Sequence, residues 1–264
     1  MPRADDLLDW YADVARPLPW RTTREPYALL VSEVMLQQTQ AARVVPRYES
    51  FLARFPDAGA LAAAPARDVL HEWSGLGYNR RALALQAGAR HVAAHGWPGD
   101  LTTLPGVGAY TAAAVASFAF GAQVAAVDVN VARVIARWDG REHPPRAMAE
   151  RAQALLPPGR AATWNQAMME LGATVCTART ARCGDCPVAG GCASAGAPSR
   201  PRPARAKRPR FEDTDRFARG RVIAALVHGE TLPALDPERL ERAIAALAAD
   251  GLVVRDAAGA PALP

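Results

Sequence analysis

Leu104-Pro105-Gly106-Val107-Gly108 stands directly before Ala109–Phe120, an alanine-rich stretch of helical character. Glycines let a backbone turn tightly and bring its amides close to a phosphate. The N-terminus of the helix that follows adds partial positive charge. A turn of this kind can grip a DNA backbone without reading its sequence; the same residues also suit an ordinary corner between two helices. Outward from this turn, helical patterns cover 5–14, 26–38, 43–55, 65–73, 80–95, 110–120, 129–138 and 161–174, with Ser74-Gly75-Leu76-Gly77 as a further breaker. No convincing alternating strand interrupts them, so residues 1–195 read as one all-helical domain.

About twenty residues beyond the turn, Val127-Asp128-Val129-Asn130 opens another helix. Asp128 suits an N-cap. The same geometry gives it a chemical use, because helix amides stabilise an ionised carboxylate, and such a charge stabilises a sugar that turns positive as its glycosidic bond breaks.

All four cysteines fall in the pattern Cys176-x6-Cys183-x2-Cys186-x5-Cys192. No signal peptide or membrane-length apolar stretch is visible, so a cytoplasmic, nucleoid-associated protein with reduced thiols is expected. Disulfides are then disfavoured. Four thiolates in one short loop can converge on a metal centre, and their chemistry suits a structural zinc ion and an iron–sulfur cluster equally.

The charge is uneven along the chain. Residues 1–210 hold 25 basic against 17 acidic side chains, whereas residues 211–264 hold 6 against 9. A basic larger part suits a polyanionic partner. Residues 196–211 read as a basic, proline-rich linker. Residues 212–264 read as two helices (215–227 and 237–249), a turn at Asp250-Gly251, a short strand at 252–254 and a second after Gly259, which is a small winged-helix-like module. It is too small to bury much core alone and is expected to dock on the main domain. The only lysine is Lys207.

The turn, the aspartate and the cysteine loop, in this order and at these spacings, resemble the helix–hairpin–helix glycosylases of the endonuclease III superfamily. There the 6-2-5 cysteine spacing holds a [4Fe–4S] cluster, which implies Cys176, Cys183, Cys186 and Cys192 as its ligands here. Pro19-Trp20-Arg21, Ser32-Glu33-Val34-Met35-Leu36-Gln37-Gln38-Thr39, Gly75-Leu76-Gly77-Tyr78 and Trp164-Asn165-Gln166-Ala167-Met168-Met169 look like the A/G-specific adenine glycosylase (MutY-type) branch. That branch acts on double-stranded DNA carrying adenine opposite guanine or 8-oxoguanine, and a monomer is expected.

Adenine leaves poorly as an anion and needs a proton. Glu33 lies among Val31, Val34, Met35 and Leu36, where an apolar setting would raise its pKa and make it an acid. Glu33 and Asp128 are thus expected to divide acid and anion roles, acting on a base flipped out of the duplex. The resemblance implies that Gln38 and Tyr78 probe or wedge the duplex near the opposite base, with Gln37 among the substrate- or DNA-binding residues. It implies that Arg21, Leu36 and Gln166 line the adenine pocket, and that Gly106, Val107 and Gly108 hold the backbone. Asn130 is expected to orient Asp128 or water, and Tyr110 to hydrogen-bond Asp128.

Bifunctional members use a lysine early in the helix after the hairpin. Here that stretch reads Ala109-Tyr110-Thr111, so a monofunctional enzyme is expected. Where the family often has glycine after the aspartate this chain has Val129, and the second tyrosine common after Tyr78 is Asn79. Residues 212–264 are too few for the Nudix-like C-terminal domain of many members. A thymine–guanine mismatch glycosylase and a non-catalytic iron–sulfur DNA-binding protein remain as alternatives.

Overall fold

The computed structural model describes residues 4–197 and 209–264; most of the proposed linker lies outside them. The described chain is overwhelmingly helical. Its helices are α1 (Ala4–Val14), α2 (Pro26–Leu36), α3 (Ala41–Arg54), α4 (Ala58–Ala63), α5 (Ala66–Glu72), α6 (Arg80–His95), α7 (Ala109–Phe120), α8 (Val129–Asp139), α9 (Pro145–Ala154), α10 (Ala161–Thr174), α11 (Asp215–His228) and α12 (Pro237–Ala249). Two short strands, β1 (Val254–Arg255) and β2 (Pro261–Ala262), pair antiparallel at the end of the chain.

The chain forms two compact units, one from residues up to Glu33 together with Val107 onward through the cysteine loop, the other from Val34–Gly106 together with the C-terminal module. In the first unit, Leu7, Leu8 and Tyr11 of α1, Val134, Ile135 and Trp138 of α8, and Trp164, Met168 and Leu171 of α10 make one apolar cluster, against which Cys176, Cys186 and Cys192 also pack. The spacing of these residues puts one apolar stripe on each helix, so each helix buries one face. Gly172 lets α10 approach α8 closely: a Cβ there would lie 2.7 Å from Asn130 Cβ. In the second unit, Phe51 of α3, Leu61 of α4, Leu70 of α5 and Leu85 of α6 are almost fully buried, and Trp73 meets Phe51 edge-on at 6.0 Å.

The C-terminal module packs α11 on α12 and sets α11 against α5. Its contacts are polar as well as apolar. Asp250 pairs with both Arg219 and Arg80, and the rings of His228 and His71 lie 5.8 Å apart.

Three elements differ from the sequence reading. The helix expected over 26–38 ends at Leu36, and Gln38 takes a left-handed backbone with φ 58°. The cause is a distant side chain. Arg81 donates to the carbonyls of Val34 (2.7 Å), Met35 (3.1 Å) and Gln37 (2.6 Å), satisfying acceptors that a helix end leaves open. The other two are α4 and α9, helices over stretches to which the sequence pattern assigns none; α4 buries Leu61, and α9 only Met148 and Ala152.

Candidate active site

Within the first unit, the two carboxylates picked out by the sequence are drawn together through Tyr110. Glu33 sits in α2 with 5% of its surface exposed. Burial pushes its carboxyl up to about 7, a rise opposed by the hydrogen bond from Tyr110 and reinforced by the charge of Asp128. Its Oε2 atom is buried with no hydrogen-bond partner among the described residues, whereas buried polar atoms ordinarily find partners. Tyr110, half-buried in the first turn of α7, is pushed well above its ordinary value by burial, then by the charges of Glu33 and Asp128. It therefore keeps its proton, and its hydroxyl also lies 3.8 Å from the sulfur of Met169. The expectation that Tyr110 bonds Asp128 needs correcting. The Tyr110 hydrogen bond goes to Glu33, and Asp128 acts on Tyr110 only as a nearby charge.

Asp128 is the N-cap of α8. Its Oδ1 accepts the backbone N–H groups of Asn130 (2.8 Å) and Val131 (2.7 Å), and its Oδ2 accepts the Asn130 side-chain amide at 2.7 Å. The extended segment that delivers it, 121–128, has no sheet partner, so side-chain amides take up its backbone polar groups. Asn165, buried in α10, donates to Val124 O (2.9 Å) and Ser117 Oγ (3.0 Å) and accepts from Ala126 N (3.1 Å). Gln153 accepts from Ala125 N and donates to Gln123 O. The sequence reading assigned neither amide a role; their partners lie 28–48 positions away.

Helix α8 also links this carboxylate to the cysteine loop. Arg133 donates to Asn130 Oδ1 (2.8 Å), Gly172 O (2.7 Å) and Cys176 O (2.9 Å). One turn further on, Arg137 donates to Cys176 Sγ (3.1 Å) and Thr177 O (2.8 Å). A cleft of about 1000 Å³ is lined by Tyr110 and Asp128 and by all four cysteines. Glu33 is not among its lining residues; Tyr110 connects them. Burial pushes the thiols of Cys186 and Cys192 up, and the charges of the neighbouring cysteines push them further. The donor set is four sulfurs lining one cleft, each of Cys186 and Cys192 feeling the charge of other cysteines, and sulfur donors suit zinc or iron. Among the described residues no group of three or more His, Cys, Asp or Glu is arranged around a single metal ion.

Arg21 and Gln166 fall in a different network of the first unit. The buried Glu170 accepts from Arg16 (2.6 and 2.8 Å) and Arg21 (2.5 Å). Burial would raise Glu170, but the two guanidinium groups bring its carboxyl below its usual value. Gln166 Oε1 accepts the Tyr11 hydroxyl at 2.9 Å.

In the second unit, Gln38 and Tyr78 are the only non-glycine residues with positive φ among the described residues, at 58° and 48°. Such strain persists where the surroundings over-determine it and concentrates at functional positions. Arg81 fixes both loops, donating also to Gly77 O at 3.0 Å, with its guanidinium 5.6 Å from the Tyr78 ring. Gln38 is exposed, Leu36 and Gln37 half-buried. At the turn, Gly106 has φ 77°, and a Cβ there would lie 2.8 Å from Ala84 Cβ. Val107 is buried, and Gly108 is the N-cap of α7.

This is the fold of a helix–hairpin–helix base-excision repair protein. Residues 31–158 match the pattern of the HhH-GPD superfamily base excision DNA repair protein. A solved structure of a thermostable thymine-DNA glycosylase is similar, with TM-score 0.67 and 31% identity over 72% of this chain and 93% of that one. A non-covalent endonuclease III–DNA complex shares the fold, with TM-score 0.63 and 23% identity over 73% and 92%. The adenine DNA glycosylase of Mycolicibacterium smegmatis is 43% identical, the alignment covering 98% of this chain and 94% of that one. Its counterpart in Mycobacterium tuberculosis is 44% identical over 98% and 92%. The human adenine DNA glycosylase is 43% identical over 69% of this chain and 37% of its own length. The chain belongs to the adenine DNA glycosylase family of the HhH-GPD superfamily.

Proposed function

We propose that this protein hydrolyses the N-glycosidic bond of adenine mispaired with guanine or 8-oxoguanine in double-stranded DNA, without cutting the strand. The observation that carries the reading is Glu33, a carboxyl in α2 that burial pushes up to about 7, bonded to Tyr110 and within electrostatic reach of Asp128.

Glu33 donates its proton to a ring nitrogen of the flipped adenine, which leaves as a neutral base when the C–N bond breaks. The sugar carbon becomes electron-poor, and the capped Asp128 stabilises that positive charge. A water molecule then bonds to this carbon and gives up a proton, and Glu33, now ionised, accepts it. Asn130 holds one oxygen of Asp128, leaving the carboxylate no freedom to turn away. A Schiff base would need an amine, and the only lysine, Lys207, lies outside the described residues.

Cys176, Cys183, Cys186 and Cys192 would hold a [4Fe–4S] cluster. When bound, it would supply iron–thiolate bonds to the loop, which Arg133 and Arg137 of α8 tie to that helix through Cys176. The 6-2-5 spacing and the shared cleft support this reading.

The test is single-turnover base release from duplexes with adenine opposite guanine or 8-oxoguanine and, as a control, thymine opposite guanine. Adenine release alone is expected; release of thymine but not adenine would overturn the substrate assignment. Strand cleavage that survives substitution of Lys207 would refute the monofunctional reading. Visible absorption of the metallated protein distinguishes an iron–sulfur cluster from zinc, which is colourless.

A further inference from the structure

We propose that the C-terminal module takes part in reading the mispair, through Arg216 acting as a positioning residue for Tyr78. Four observations within the second unit support it. The Arg216 guanidinium lies 4.2 Å from the centre of the Tyr78 ring, a close cation–π contact. Tyr78 is 41% exposed and holds a left-handed backbone at φ 48°, so its ring direction is set by neighbours rather than by burial. Arg81 takes carbonyls of the Tyr78 loop but, at 5.6 Å, stands further from the ring. The module is also anchored where Arg216 needs it. Asp250 ties α11, through Arg219, to Arg80 beside the Tyr78 loop, and Arg239 holds the start of α11 by the carbonyls of Glu212 (2.5 Å) and Thr214 (2.9 Å).

Arg216 itself is exposed, and while Arg80 and Arg219 are paired with Asp250, no ion pair among the described residues engages it. Glu212, Asp213 and Asp215 stand beside it in sequence, which disfavours a phosphate as its partner and favours the ring. The inference rests on Tyr78 touching the duplex beside the mispair, as read above.

The experiment is a double-mutant cycle on single-turnover adenine release opposite guanine and opposite 8-oxoguanine, with the full chain. Arg216→Ala is expected to slow release roughly three- to tenfold, Arg216→Lys to restore most of it, and the Arg216→Ala effect to vanish in a Tyr78→Ala background. Asp250→Asn, which loosens the anchor, should shift the rate in the same direction. Arg242→Ala, on α12 and paired with Glu238, should leave it unchanged. An Arg216→Ala loss equally large without the Tyr78 ring, or no larger than that of Arg242→Ala, overturns the proposal. Wild-type protein that releases no adenine overturns the functional reading instead.

Discussion

The middle of α2 and the start of α8 each present a carboxyl group, and the two are built in opposite ways. Asp128 is ringed by donors: two backbone N–H groups and the Asn130 amide. An ionised carboxylate only accepts, so every neighbour fits a negative charge. Glu33 meets one hydroxyl, leaves an oxygen without a partner among the described residues and is almost fully buried. Charge is costly there, and a proton is retained. Two carboxyl groups thus receive different jobs from their surroundings alone, one to give a proton and one to bear a charge.

Breaking either half of this contrast should cost most of the activity. Glu33→Gln keeps the shape and removes the transferable proton; single-turnover adenine release should fall by about 10²–10⁴-fold. Asp128→Asn removes the charge but keeps a good N-cap. Release should fall by on the order of 10²–10³-fold, while stability falls only by about 1 kcal/mol, because the new amide loses the bond from the Asn130 side chain. If Asp128→Asn lost stability rather than rate, Asp128 would be a cap and nothing more.

Stability against pH sharpens the contrast. The carboxyl of Glu33 rises from an ordinary 4.5 to about 7 on folding. The folded state then binds more protons than the unfolded chain between these values, so the stabilising effect is complete below 4.5 and is lost as pH rises through 7. The loss amounts to about 3 kcal/mol. Glu33→Gln should abolish it, and at pH 8 the inactive variant should unfold at higher urea than the wild type at equal metal content. The smallest effect is expected from Tyr110→Phe. The Tyr110 hydroxyl lowers the Glu33 pKa, so its removal should move the alkaline loss of activity to higher pH with only a few-fold change in rate.

Much of this molecule was legible in its residues. Arg80–His95 and Ala161–Thr174 have the bounds their patterns indicate, because each carries its own apolar stripe and breaker. The N-cap at Asp128 is a local feature and could be read locally. What escaped was long-range. Gln37 and Gln38 continue a helical pattern, but Arg81 captures the carbonyls at the end of α2 from more than forty residues away. Helix α9 buries too little to mark its period. Asn165 and Gln153 look like ordinary helix amides until the segment they hold is seen. The hydrogen bond between Tyr110 and Glu33 joins residues far apart in the chain, which no motif states.

The most direct test of the divided roles is the pH dependence of single-turnover adenine release by the wild-type protein between pH 5 and 9. The account predicts that the rate falls tenfold per pH unit above a midpoint near 7, as Glu33 loses its proton. A rate that stays level to pH 9, or falls only with a midpoint near 4.5, would contradict it.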